Sequence, residues 1–330
     1  RDLDDTDLCA AFAVVERAVE SCCAAVDLTY FEFTTLAALW ALAQKKPDFL
    51  LAEVGLGGRL DAVNILAADI SAVTGVALDH TEWLGADLES IGFEKAGIYR
   101  AGRPAIYAAA NPPRSLLRHL TKIGAVPYVR GAELQMHPAA GELQIEMQIA
   151  DDQRIACTVP QNMPPESLLA ALTAFHLLGF TLDDAAREHL AAVRLPGRYQ
   201  RIRVGPTDAV LDVAHNPQAA GYLAARLQRD FPAGLAAIFG CLRDKPLPQL
   251  CAPLLAPIDH WYLVQPQTPR AATVDSLRST LLDLGVEPAQ IHPIGKISAL
   301  TPHLPQIPTA AVFGSFYTVG EFLDTFGTNQ

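Results

Sequence analysis

Between Arg198 and Gly314 the chain sets short apolar β-like runs (AVLDVA, LAAIFG, HWYLVQ, AAVFG) against helix-like stretches (PQAAGYLAARLQRDF, LPQLCAPLLA, TVDSLRSTLLDLG) in strict alternation. Parallel strands need long crossovers, and helices supply them. This order therefore predicts an α/β fold: a mostly parallel sheet with helices on both faces. The preceding part reads differently. Residues 6–20 and 31–45 carry helical spacing of apolar side chains, and 49–54, 70–77 and 104–109 are short apolar runs suited to buried strands. A helix over 87–96 ends at Gly97, a small antiparallel hairpin fits the alternation in 132–159, and helices follow over 165–178 and 182–192. The LPGR at 195–198 marks the expected boundary between domains 1–195 and 196–330.

Composition narrows the function. A net charge of −11 argues against general nucleic-acid binding, which needs clustered Lys and Arg. An anionic ligand would need metal ions or a few placed arginines to bind against that field. No apolar run long enough to span a membrane and no leader pattern occurs, so the expectation is a cytoplasmic chain. Cys9, Cys22, Cys23, Cys157, Cys241 and Cys251 form no CxxC pair and read as reduced core residues. The chain opens at Arg1 directly into a helical pattern, which reads as a fragment of something longer.

The glycine-rich stretch EVGLGGRLDAVN (53–64) fails as a dinucleotide fingerprint: Leu60 stands where a third glycine belongs, and no full crossover helix follows. Glu53, at the carboxyl end of an expected strand, has two readings, a cation ligand or a cap for the loop's own N–H groups. His80, in LDHTEWLG, lies at the equivalent end of the next expected strand. A carboxylate and an imidazole, with water or phosphate oxygen beside them, suit Mg2+ or Mn2+ near a nucleotide. Lys95 shares a helical face with Leu88, Ile91 and Ile98, which aims it inward. It is either a snorkelling side chain near a helix end or a desolvated amine able to take up carbon dioxide as a carbamate. Further on, Asp212, His215 and Asn216 precede Pro217 at a strand-to-helix turn, a natural anion site as well as a good helix start. Arg198 is the obvious cation to reach a phosphate.

Together TYFEFTTLAAL (29–39), LAEVGLGGRLDAVN (51–64), ALDHTEWLG (77–85), EKAGIYR (94–100), LPGRYQ (195–200), LDVAHNPQA (211–219) and FGSFYTVGEF (313–322) resemble the bacterial dihydrofolate synthase/folylpolyglutamate synthase family of the Mur ligase superfamily. The resemblance implies an N-terminally incomplete Mur-type central domain followed by a Rossmann-like C-terminal domain. It also implies an ATP-dependent ligase, normally monomeric, that joins L-glutamate to dihydropteroate or folate through an acyl phosphate. Glu53 and His80 are then Mg2+ ligands, and Lys95 is a carbamylated lysine serving a further metal. Arg198 and Asp212 are nucleotide-binding positions with His215 and Asn216 close by, and Thr29, Tyr30, Phe31, Glu32 and Leu60 form the pterin surface. No role is implied within FGSFYTVGEF. Two features depart from the family pattern. Glu166 stands where an asparagine is common, and no GxxxxGK[ST] phosphate cradle occurs in the 330 residues. The expectation is that these residues alone ligate weakly or not at all, and that a sheet edge or apolar face is left exposed. Other Mur-type ligases, or a non-catalytic nucleotide- or folate-binding remnant, are the alternatives.

Overall fold

Polar caps decide where the first helices begin. Asp4 accepts from the Asp7 N–H to open α1 (Asp5–Ser21), and Thr29 and Glu32 form a reciprocal capping box on α2 (Tyr30–Lys45). The two helices meet through the small buried residues Ala11, Val15, Ala37 and Ala41. The structure, a computed structural model, describes residues 3–22, 26–139, 141–150 and 153–327. Its chain divides into two units, Arg1–Gln161 with Pro165–Asp183, and Asn162–Pro164 with Asp184–Gln330.

In the first unit a parallel sheet runs in the order β1 (Ser71–Val73), β2 (Pro104–Tyr107), β3 (Val126–Val129). Between β1 and β2 lie the short α3 (Thr81–Leu84) and α4 (Leu88–Ala96); α5 (Arg114–Ile123) connects β2 to β3. Its core is Val73, Ala96, Tyr99, Ala105, Tyr107, Leu116 and Leu120. The expected strand at 49–54 is absent, and the expected strand at 70–77 is paired only over 71–73. A strand needs a neighbour to complete its ladder, and residues 49–54 have none: they run without pairing, with Leu51 99% exposed. The sequence reading passed over α5 and β3. Pro127 inside VPYV argues against a strand, yet it is tolerated here because β3 is an edge. The expected hairpin is a three-stranded antiparallel sheet, β4 (Leu134–Ala139), β5 (Glu142–Ala150) and β6 (Gln153–Pro160). Helix α6 (Pro165–Leu177) follows.

The second unit contains α7 (Asp184–Ala192), β7 (Gln200–Val204), β8 (Thr207–Asp212), α8 (Pro217–Asp230), β9 (Leu235–Phe239) and α9 (Leu247–Cys251). It continues with β10 (Ile258–Val264), α10 (Val274–Asp283), β11 (Ile291–Gly295), β12 (Thr309–Phe313) and α11 (Phe316–Phe326). The sheet order is β11-β10-β9-β12-β8-β7, parallel except where the unforeseen β7 runs antiparallel to β8. Strand alternation sends Phe239, Trp261 and Phe313 to one core and Ile238 and Val312 to the core on the opposite face, where Phe322 of α11 joins them.

The cysteines divide. Cys157, Cys241 and Cys251 are buried as expected, Cys9 and Cys22 are exposed rather than core residues, and Cys23 lies outside the described residues. No described helix is long and apolar enough to cross a membrane.

Candidate functional site

Asp61, not Glu53, closes the glycine loop. Its carboxylate accepts from the Leu56 N–H and the Val63 N–H, each at 2.9 Å. The loop amides thus have their own cap, and Glu53 stands exposed without a hydrogen-bond or ion-pair partner among the described residues. The loop lies hard against the end of α4. At Gly57, with φ +70°, a Cβ would come 2.7 Å from Leu84 Cδ2, so a larger residue would be strained in its backbone and would push the Leu84 side chain aside. Next to it the Arg59 N–H donates to the Glu94 carbonyl at 2.8 Å, and the Arg59 guanidinium pairs with the Glu94 carboxylate at 2.9 Å. Arg100 Nη2 donates to Asn64 Oδ1 at 2.7 Å and to the Asn64 and Leu66 carbonyls at 2.8 Å. The EKAGIYR and GGRLDAVN stretches are therefore largely the fastening of one segment to the other.

That fastening brings Lys95 beside the loop. Lys95 is half-buried; desolvation pushes its ammonium pKa down, and the nearby Asp79 carboxylate acts in the opposite direction. His80 adopts a left-handed backbone (φ 52°), uncommon for a residue with a Cβ, at the start of α3. Its N–H donates to Asp79 Oδ1 at 2.9 Å, and its ring Nε2 is 3.9 Å from the same oxygen. Asp79 thus adjoins both His80 and Lys95. The sequence reading missed it, although it is the acid immediately before the singled-out histidine.

Among the described residues no group of three or more His, Cys, Asp or Glu side chains is arranged as a metal cage. The candidate donors are the Glu53 and Asp79 carboxylates and the His80 imidazole. Such a set fits Mg2+, which keeps water and phosphate oxygens, better than a cation that needs an all-protein cage.

The TYFE stretch has a split role. Glu32 accepts from both the Thr29 N–H (2.8 Å) and its hydroxyl (2.7 Å), so these two polar side chains are engaged in capping α2. Phe31 lies against the loop, its Cζ 2.8 Å from where a Gly55 Cβ would stand. Tyr30 and Leu60 are 85% and 79% exposed, leaving an aromatic and apolar surface open. Glu166 pairs with Arg130 at 3.3 Å.

In the second unit the four sequence candidates gather at the carboxyl end of β8, where open parallel sheets hold ligands. Asp212 accepts from the Tyr199 N–H and the Ala214 N–H at 2.9 Å each. Burial raises its pKa, while those two hydrogen bonds, Arg198 and Arg226 oppose the rise. Asn216 caps α8 through the Ala219 N–H at 2.9 Å, so the helix-start reading of Asn-Pro holds. The exposed Arg198 guanidinium sits over the Phe316 ring at 5.3 Å, and the His215 ring is 6.0 Å from the same ring. Phe316 and Arg226, the latter stacked 3.6 Å over Tyr199, were not foreseen. Phe316 is carried in by the FGSFYTVGEF stretch, in which Ser315 caps α11.

Comparison with known proteins came out consistently. The family model for the Mur ligase glutamate ligase domain matches residues 197–304. Over 280 residues the chain is 38% identical to a dihydrofolate synthase/folylpolyglutamate synthase of Escherichia coli K12, covering 84% of this chain and 64% of that protein. The protein of the same name from Haemophilus influenzae is 31% identical, covering 98% of this chain and 77% of that protein. Among solved structures, E. coli FolC in complex with DHPP and ADP superposes with a TM-score of 0.87 at 34% identity, covering 98% of this chain and 76% of that one. The bifunctional folylpolyglutamate synthase/dihydrofolate synthase of Yersinia pestis complexed with AMPPNP and Mn ion gives 0.86 at 34% identity, with the same two coverages, 98% and 76%. This chain therefore spans 64% to 77% of the length of these four proteins.

Proposed function

We propose, from the premise that this chain belongs to the dihydrofolate synthase/folylpolyglutamate synthase family of Mur ligases, that it forms most of an ATP-dependent glutamate ligase acting on dihydropteroate and folates. In that reaction the pterin substrate's carboxylate takes the terminal phosphoryl group of ATP, giving an acyl phosphate. The amino group of L-glutamate attacks the acyl carbon, phosphate leaves, and an amide forms. Phosphorylation turns a poor leaving group into a good one.

Glu53 and His80 would hold a Mg2+, with Asp79 close by, and the bound cation would offset the negative charge that gathers as carboxylate and phosphate meet. Lys95, half-buried and with its amine pKa lowered, is suited to carbamate formation, because only the neutral amine adds carbon dioxide. Tyr30, Phe31 and Leu60 offer the flat apolar surface a pterin needs. Arg198 serves phosphate, and Asp212 with His215 and Asn216 serves the nucleoside. One observation carries the reading: the glycine loop, the His80 turn and the Lys95 helix, distant in sequence, pack as one feature of the first unit. We further propose domains at 1–195 and 196–330, a monomer, and a cytoplasmic location.

The test is ADP release dependent on both dihydropteroate and L-glutamate. The 330 residues alone, which contain no GxxxxGK[ST] sequence, should show little of it. Joining the phosphate-cradle segment of the E. coli relative ahead of Arg1 should raise it. Full turnover by the 330 residues would refute the first expectation. A folded, nucleotide-binding chimera that ignores dihydropteroate would point instead to another Mur-type ligase.

A further inference from the structure

We propose that His260 and His292 form a second, independent metal site on the far part of the C-terminal sheet, one that takes a borderline divalent cation such as Zn2+ or Cu2+. His260 Nδ1 and His292 Nε2 face one another at 3.2 Å. Two imidazole nitrogens bound to one cation at about 2.0–2.1 Å lie about 2.9–3.4 Å apart for ligand angles between square and tetrahedral. The observed spacing falls inside that range.

The backbone sets the spacing. Strand β10 runs parallel to β11, with Tyr262 opposite His292. The β9–β10 register slips between Ile258 and His260, so Asp259 is a bulge residue and both Asp259 and His260 face solvent before Trp261 turns inward. A bulge of this kind re-aims a side chain. It leaves His260 on the same face as Tyr262, whose ring stacks on His292 with centroids 4.6 Å apart and 24° between planes. His303 meets the other side of Tyr262 at 5.8 Å. The tyrosine thus holds the His292 ring in place, as residues around a metal ligand commonly do.

The protonation chemistry is consistent. A divalent cation takes each imidazole in its neutral form. In the metal-free state one of the facing nitrogens carries the proton of the hydrogen bond. Moving that proton to the far nitrogen of its own ring frees both lone pairs with no net proton release. Two protein ligands leave the remaining positions to water or an exogenous group, consistent with the absence of a three-residue cage among the described residues. His260 and His292 lie toward the amino ends of their strands, whereas Asp212 ends β8 at its carboxyl end. The two sites are at opposite edges of one sheet, so a cation here would act on this unit's stability rather than on the reacting groups.

The experiment is Zn2+ titration by calorimetry on the 330-residue chain after alkylation of the exposed thiols, with Cu2+ electron paramagnetic resonance as a second readout. One saturable site is expected, with nitrogen coupling from two imidazoles in the Cu2+ spectrum. H260N and H292N should each weaken binding about tenfold or more and leave one coupled imidazole, while H303N keeps the site. Equal binding and unchanged spectra in H260N and H292N, or no saturable binding in the parent, would overturn the proposal. Far-UV circular dichroism of each variant separates loss of ligand from loss of fold.

Discussion

The two units treat their apolar surface differently. The second unit sandwiches a six-stranded sheet between two cores that bury Phe239, Trp261, Phe313 and Phe322, and its exposed rings, Phe316 and Tyr317, sit together at the start of α11. The first has a three-stranded parallel sheet and leaves Phe49, Leu50, Leu51, Trp83 and Leu60 exposed, Leu51 almost completely. Strand β2 of the first unit is buried on both faces through Ala105, Ile106 and Tyr107, so the exposed apolar side chains lie in the loops and α3, where they are available to a ligand or to further protein. The same contrast holds for the candidate residues. In the second unit they are bound into a tight βα turn, with Asp212 and Asn216 already occupied by backbone N–H groups. In the first, the glycine loop is tightly fastened while Glu53, Tyr30 and Leu60 stay open.

Core truncation offers the strongest way to break this comparison. Phe313→Ala removes a fully buried ring shared with Phe239 and Trp261 and should cost about 3–5 kcal/mol, lowering the denaturation midpoint of the second unit. The fully exposed Leu51→Ser should stay within about 0.5 kcal/mol. Comparable losses in the two variants would remove the distinction between the buried core of the second unit and the exposed apolar loop of the first. Next in size, Gly57→Ala must adopt a left-handed backbone against Leu84 and should destabilise the first unit by about 1–3 kcal/mol, read from a urea melt. Removing one cap in each unit sharpens the comparison further. Thr29→Ala and Asn216→Ala should each lose about 0.5–2 kcal/mol, with hydrogen exchange rising at the start of α2 and of α8 respectively.

The smallest effects are in pH dependence, and they have opposite signs. Lys95 has a folded-state pKa below its unfolded value, so the unfolded chain binds more protons between the two. Its contribution is lost as pH falls through the folded value, and the first unit should gain stability as pH rises toward the ordinary lysine value of about 10.4. Asp212 has a raised folded-state pKa, so its contribution is full below the unfolded carboxylate value and is lost as pH rises through the folded one. K95M and D212N should each flatten the corresponding slope in chemical denaturation measured across those ranges. An unchanged slope in either variant would show that the group is not desolvated as the structure places it.

Much of this was legible in the sequence for a definite reason. Alternating β-like and helix-like runs prescribe crossovers, so the parallel core of the C-terminal sheet could be read directly from residues 209–314, as could the start of α8 from Asn-Pro; the capping box of Thr29 and Glu32 on α2 was not read. The elements passed over lack a strong local pattern. Strand β3 contains Pro127, and β7 owes its place to antiparallel pairing with β8 rather than to its composition. Asp79 and Phe316 were missed because nothing local separates an acid or ring that the fold brings up to Lys95 or Arg198 from an ordinary one. The 49–54 run was misread because apolar composition signals the capacity to pair, whereas pairing itself needs a partner at 4.7–4.9 Å.

By itself the sequence determined the periodicities, the Asn-Pro helix start, the glycine positions and the family to which the chain belongs, since these rest on residues a few positions apart or on motifs that stand as text. Only the tertiary structure decided that Asp61 rather than Glu53 closes the loop, that Asp79 lies beside Lys95, and that a one-residue bulge brings His260 up to His292. Those are contacts between segments, and their free energy depends on distance and burial that no local pattern encodes.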